Sequence, residues 1–284
     1  MRRLAVACVV AASLLVVSVA AAAPPPVWSP AGELSLPTNA ATSLEGQNAV
    51  LNGVSCPNAG NCVGVGWYLT AVTTGTDGPV DVMAASESGG TWEPAQEIQL
   101  PAGAHLGPGA GPTLNSVACT SVGNCEAAGQ YPTDSIGDTT AMVVNETSGV
   151  WGQAAEVALP NKAMQPPVSG SAATRSATLS GISCTGPGDC EAVGTYIDTK
   201  GQLMAMVVNE TNGIWSQAEK VGEPAGVGHS KNATDALNAI ACSSTGNCEA
   251  VGSYGPGGLH AMVVTETRGT WRRSVEVNVP SDAL

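Results

Sequence analysis

Leu179-Ser-Gly-Ile-Ser-Cys184-Thr-Gly-Pro-Gly-Asp-Cys190-Glu-Ala-Val-Gly-Thr-Tyr196 decides the fold, because the same pattern returns at Leu51, Leu114 and Leu237. Each copy reads L-x4-C-x5-C-x5-Y. The cysteine pairs are Cys56/Cys62, Cys119/Cys125, Cys184/Cys190 and Cys242/Cys248, and Tyr68, Tyr131, Tyr196 and Tyr254 are all the tyrosines of the chain. The second half of the unit keeps step. Met83, Met142, Met206 and Met262 each stand nine residues before Trp92, Trp151, Trp215 and Trp271, and each tryptophan stands nine before Pro101, Pro160, Pro224 or Pro280. Rare residues in such register mark a repeat architecture, with units at about 51–113, 114–178, 179–236 and 237–284.

Within a unit the apolar pattern has period two, punctuated by Gly, Pro and Asn. It predicts four strands: 114–119, 125–131, 141–145 and 151–159 in the second copy. Four such units predict an all-β chain, a β-propeller of about four blades of four antiparallel strands, in which radial repetition limits exposed sheet edges. An open β-repeat or sandwich is the alternative. Trp28 and Pro37 repeat the nine-residue spacing of a unit's last strand, so segment 24–50 carries an orphan strand that four complete units do not need.

Each cysteine pair brackets a tight turn ending in Gly-Asn or Gly-Asp. Cysteines flanking a hairpin in an exported chain read as local disulfides. C-x5-C is not a usual zinc spacing, no histidine recurs with the repeat, and C-x-x-C is absent, so neither a metal site nor a redox pair is expected. The glycines two residues before the tyrosines (Gly66, Gly129, Gly194, Gly252) mark a close approach or a bulge. The tryptophans that open each last strand read as core, since the chain has no Phe. Trp67, outside the pattern and beside Tyr68, is the better candidate for stacking on a ligand. A ring of Tyr68, Tyr131, Tyr196 and Tyr254 lining one face is a further possibility to be weighed against packing.

Met1-Arg2-Arg3, an apolar run and the small-residue segment 20–23 read as a secretory signal peptide over 1–23, with an uncleaved anchor as the alternative. Cys8 leaves with it. The chain has 10 basic residues against 23 acidic ones, and two of the ten, Arg2 and Arg3, lie in that leader. So acidic a protein lacks the basic footprint of a nucleic-acid or anionic-membrane binder. The expected location is therefore extracellular, in solution or at the cell wall, and the expected state a monomer.

Ser86-Glu-Ser-Gly-Gly-Thr-Trp92, Asn145-Glu-Thr-Ser-Gly-Val-Trp151, Asn209-Glu-Thr-Asn-Gly-Ile-Trp215 and Thr265-Glu-Thr-Arg-Gly-Thr-Trp271 resemble the Asp-box, the bacterial neuraminidase repeat S-x-D-x-G-x-T-W. Each copy is one residue short, and Ser88, Thr147, Thr211 or Thr267 stands for the family aspartate, with a hydroxyl expected to cap the turn amides. The whole unit also resembles secreted repeat proteins of actinobacterial type. These resemblances imply export and a propeller-like fold, and no reaction.

Glu126, Glu191 and Glu249, with Val63 in the first copy, follow the second cysteine, and Glu87, Glu146, Glu210 and Glu266 precede the last turn. Carboxylates repeated in every unit read as solvated or turn-bonding groups, because a catalytic acid and base need unlike environments. A sialidase-like glycoside hydrolase is the alternative function. It would need arginines from separate blades, and after the leader only Arg175, Arg268, Arg272 and Arg273 remain. His105, His229 and His260 occupy unrelated positions. The reading is a secreted, non-catalytic binding or scaffold protein for a glycan or protein ligand, without cofactor, its specificity carried by segments 102–113, 161–178 and 225–236.

Overall fold

The computed structural model describes residues 31–42, 48–70, 79–106, 111–134, 137–165, 175–225, 234–255 and 259–280. The leader 1–23, Cys8, Trp28 and His229 lie outside them. Two compact units divide the chain, Met1–Glu33 and Leu34–Leu284, and everything below concerns the second.

The described residues form strands and no helix, in four antiparallel sheets, one per repeat. Blade 1 holds β1 (Ala49–Asn58), β2 (Asn61–Leu69), β3 (Val80–Ser88), β4 (Thr91–Trp92) and β5 (Gln96–Glu97); blade 2 holds β6 (Thr113–Ser121), β7 (Asn124–Pro132), β8 (Thr139–Thr147), β9 (Val150–Trp151) and β10 (Ala155–Glu156). Blade 3 holds β11 (Ala177–Gly186), β12 (Asp189–Ile197), β13 (Leu203–Thr211), β14 (Ile214–Trp215) and β15 (Glu219–Lys220); blade 4 holds β16 (Ala236–Ser244), β17 (Asn247–Tyr254), β18 (His260–Thr265) and β19 (Val275–Glu276). The chain is thus the all-β, four-bladed, propeller-type protein that the repeat predicts. The expected fourth strand is broken: β4 and β5 both pair with β3, separated by an irregular step at Pro94.

Alternation along each strand builds the core. In blade 2, Cys125, Ala127, Tyr131, Met142 and Val144 point back into a cluster with Val63, Val65, Val82, Ala84 and Ile98 of blade 1. Ala128, Ala141 and Val143 point forward, against Leu179, Ala192, Met204 and Met206 of blade 3. Val193, Ala205 and Val207 of blade 3 meet Leu237, Ala250 and Met262 of blade 4 in the same way. Each middle blade is therefore buried on both faces, and the inner strands β1, β6, β11 and β16 pack one on the next. No comparable packing joins β16 to β1.

The four predicted disulfides are present: Cys56–Cys62, Cys119–Cys125, Cys184–Cys190 and Cys242–Cys248. The glycines near the tyrosines sit where predicted. A Cβ on Gly66, Gly129, Gly194 or Gly252 would overlap the carbonyl oxygen of Val50, Thr113, Thr178 or Ala236. Opposite each lies the bulge in the first strand of its blade.

The turn caps differ from expectation. Ser148, Asn212 and Arg268 take φ of 53°, each followed by a glycine also at positive φ, the two-residue turn whose twist suits a hairpin. The side chains that accept from these turns are Asn124, Asp189 and Asn247 of the disulfide hairpin, bonded to the amides of Ser148, Asn212 and Arg268. The threonine hydroxyls are not the caps: Thr147 Oγ1 accepts from Asn145 instead. Backbone bonds from Gly90, Gly149, Gly213 and Gly269 to the carbonyls of Gly60, Gly123, Gly188 and Gly246 join the two turns of every blade.

The orphan N-terminal segment also finds its place. Ala95 N donates to Ser35 O, as Ala154 N donates to Gln99 O, Ala218 N to Ala158 O and Ser274 N to Gly222 O. Leu34 and Leu36 pack on Tyr68, Met83 and Ala95. Residues 34–37 thus lie on blade 1 as the last segment of each blade lies on the following blade.

Candidate functional site

The repeated glutamates define the site. Glu126 is one residue from Cys125 and two from Ala128, so β7 aims it forward at blade 3. Glu210 continues the Met206, Val208 row of β13, which faces back at blade 2. The two meet in the junction between those blades, close enough for the charge of Glu210 to act on Glu126. The next junction repeats the pair with Glu191 and Glu266, whose carboxyls share a hydrogen bond. In the first junction Val63 replaces one member, opposite Glu146.

The expectation that these groups are solvated holds for Glu249, which is exposed, and is corrected for five of the others. Glu126, Glu146, Glu191, Glu210 and Glu266 are all buried, and one oxygen of each has no hydrogen-bond partner within the protein. The reason is architectural: a blade covered on both faces leaves no solvated row for the polar half of an alternating strand. Burial pushes the Glu126 carboxyl up to about 8, helped by the charge of Glu210. Burial, then the bond and charge of Glu266, push Glu191 up to about 8. Burial and the charge of Asp189 push Glu210 up to about 7, and burial raises Glu146. At neutral pH Glu126 and Glu191 favour the protonated form.

A cavity of about 420 Å³ opens over the junction of blades 2 and 3. Glu126, Glu146 and Glu210 line it, with Asn145, Gln153 and Asn212 and the half-buried indole of Trp215. A smaller one of about 150 Å³ lies over the first junction, where Glu87, Glu93 and Glu146 accompany Val63. Glu191 lies near Cys242 and Cys248. Those sulfurs are joined in a disulfide and offer no thiolate, so this group does not fit a metal ion.

The aromatic candidates fall elsewhere. Tyr131, Tyr196 and Tyr254 are buried in the junction cores and Tyr68 beneath Leu34 and Leu36, so the ring of stacking tyrosines is not available to a ligand. Tyr68 donates to Asn39 Oδ1 at 2.9 Å and Tyr131 to Glu156 Oε2 at 2.9 Å. Burial raises both phenols above their ordinary value, which removes either as a phenolate nucleophile at neutral pH. Trp67 is half-buried and alone of the five keeps surface.

Arg175 is tied to Glu156 at 2.9 Å, Arg268 sits in the last turn of blade 4, Arg272 is exposed and the stem of Arg273 lies over Gly222. His260 pairs with Tyr254 across the strands, with ring centroids 5.4 Å apart, and its Nδ1 lies 3.1 Å from Glu276 Oε1. The sequence hid that contact. His260 aligns in the repeat with Asp81, Thr140 and Met204, so it shares its position with no other histidine. The glutamates did carry a signal. Their parity against Cys125 and Cys190 puts them on the forward face, and only the burial of that face was missing.

Four disulfides suit an oxidising compartment. Among the described residues no helix is long and apolar enough to cross a membrane. No protein-family model and no curated protein matches the sequence. Solved structures do resemble it. A Hadza microbial sialidase is 11% identical over 79% of this chain and 46% of its own, with a TM-score of 0.47. The GH93 α-L-arabinofuranosidase of Fusarium graminearum is 12% identical over 86% and 68%, at 0.45, and the GH43 endo-arabinanase of Bacillus licheniformis 10% identical over 86% and 84%, at 0.40. This chain therefore spans less than half of the sialidase. At these identities and scores the likenesses carry no argument about function, and the fold rests on its own four sheets.

Proposed function

We propose that this chain is an exported carbohydrate-binding scaffold whose ligand lies in the groove between blades 2 and 3. One observation carries the reading: Glu126 and Glu210, which meet in this junction and each keep a buried carboxyl oxygen without a partner in the protein, line a cavity of about 420 Å³. A buried polar atom without a partner is costly, and a ligand rich in hydroxyls supplies the missing bonds. Carboxyls held neutral favour hydroxyl groups over cations. The amides of Asn145, Gln153 and Asn212 both donate and accept, and the Trp215 indole gives a sugar ring an apolar face. The test is a glycan array with the mature chain, followed by calorimetric titration of any binder. Glu126→Gln and Glu210→Gln should each weaken binding at least tenfold. Binding that is absent, or indifferent to both substitutions, overturns the reading.

A second reading, glycoside hydrolysis, draws on the same groove. Glu126 stays protonated at neutral pH, as a general acid must, and Glu210 at about 7 is the first of the pair to ionise. Release of reducing sugar from a bound glycan, abolished in Glu126→Gln while binding persists, would establish it in place of simple binding.

A further inference from the structure

Along its inner strand, beyond the part that residues 34–37 cover, blade 1 shows solvent the face that every other blade buries. Leu114, Leu179 and Leu237 are 0% exposed against the preceding blade, whereas Leu51 is 43% exposed, and Val54 is 65% exposed where Val117 and Ile182 are buried. Blade 4 shows the opposite face. Val65, Ala128 and Val193 are 0% exposed against the following blade, whereas Val251 is 46% exposed and Val277, in the place of Ile98, Val157 and Val221, is 47% exposed. We propose that these two faces mate between molecules, so that copies of this chain assemble head to tail with blade 4 of one on blade 1 of the next. This assembly replaces the monomer expected from the sequence.

The occupant is a second copy because the two bare faces are the two halves of an interface the chain already makes three times. Details of the repeat fit the fourth joint. Inner strands crowd at one position, where a Cβ on Gly53 or Gly181 would stand 3.0 or 3.1 Å from the Cα of Ser116 or Ala239. Gly53, Ser116, Gly181 and Ala239 alternate, so every crossing has one glycine, and Ala239 against Gly53 continues the series. Ser55, Ala118, Ser183 and Ala241 alternate likewise, and the serines accept from Cys119 N and Cys242 N of the next blade. By this two-blade period the new joint resembles that between blades 2 and 3. There Asn115 Nδ2 donates to Leu179 O at 2.8 Å, and the corresponding pair is Asn238, which is exposed, and the carbonyl of Leu51.

Charge fits as well. Glu249 and Glu87 take the places of Glu126 and Glu210, so the joint rebuilds that facing pair of carboxyls; the assembly itself stands whether or not the groove between blades 2 and 3 binds glycan. Arg272 takes the place of Glu93, which shares a cavity with Glu146. It would face Glu87 of the neighbouring copy, an opposite charge where the first junction has like ones. One segment competes. Residues 34–37 already occupy, on blade 1, the place that the exposed residues 277–280 of a neighbour would take. Assembly therefore displaces that segment. A head-to-tail contact of this kind closes into a ring or grows into a filament.

Sedimentation velocity from ~1 to ~100 µM, the weak end for an interface of standard size, tests the proposal. The wild-type chain should gain mass with concentration. Leu51→Asp and Val251→Asp, each changing an exposed side chain, should stay single chains with unchanged circular dichroism. Their equimolar mixture should form a dimer that goes no further, because one supplies the intact tail and the other the intact head. Leu34→Ala, which loosens the competing segment, should associate at a concentration about tenfold lower, ~1.4 kcal/mol. A wild-type chain that remains single up to ~100 µM, a single variant that still pairs with itself, or a mixture that stays unpaired overturns head-to-tail assembly. An unchanged association of Leu34→Ala overturns the displacement.

Discussion

Raising the pH should loosen the blade junctions, and the buried glutamates set both the window and the size. In the folded chain Glu126 and Glu191 each hold a proton up to about 8. In the unfolded chain a glutamate releases it near its ordinary value of 4.5. Between those values the folded state binds more protons than the unfolded one, so stability is fully present below 4.5, falls as pH rises and levels off above about 8. A shift of this width on one carboxyl corresponds to at most ~5 kcal/mol. Water entering a groove already open to solvent screens the charge, and ~2 kcal/mol per junction is the working figure. Urea melts at closely spaced pH values measure the slope. Glu126→Gln with Glu191→Gln keeps shape and neutrality while removing the titration, so the double variant should lose most of the decline across that window. A double variant with the slope of wild type would refute the buried, protonated junction, because repulsion spread over the acidic surface would then account for the whole effect.

Two further predictions concern the frame. Leu179→Ala should cost about 3–5 kcal/mol in dilute solution and Leu51→Ala less than about 1, since the same side chain is fully buried in one blade and half bare in the other; chemical denaturation of both variants compares them directly. Gly194→Ala should cost more than about 3 kcal/mol or prevent folding, because its methyl would overlap Thr178 O, whereas Gly186→Ala, whose methyl would meet only an Asp189 carboxylate oxygen at 3.7 Å, should cost less than about 1; thermal melts read both.

How much was legible follows from which interactions are local. Period-two alternation, the L-x4-C-x5-C-x5-Y frame and the Gly-Asn turns gave strands, hairpins and disulfides, since each is settled within a few residues of chain. The glycines before the tyrosines announced their bulges for the same reason. The glutamates did not announce their burial: Glu126 and Glu249 have the same neighbours in sequence, and only one has a blade in front of it. The tyrosines were open to two readings because a ring on a core face and a ring on a ligand face share one spacing. The turn cap was assigned to the wrong residue because the acceptor comes from the adjacent hairpin, more than twenty residues earlier, and not from the turn itself.

Amino-acid order alone settled that one disulfide-closed sheet is built four times, and that an extra strand-like segment precedes the first. Tertiary packing decided what each copy does with its faces. It placed residues 34–37 on blade 1, closed three acid-bearing junctions, and left Leu51 at one end and Val251 at the other uncovered. The physical reason is that burial belongs to pairs of blades: a repeat can encode both halves of an interface, but a half stays bare until something lies against it.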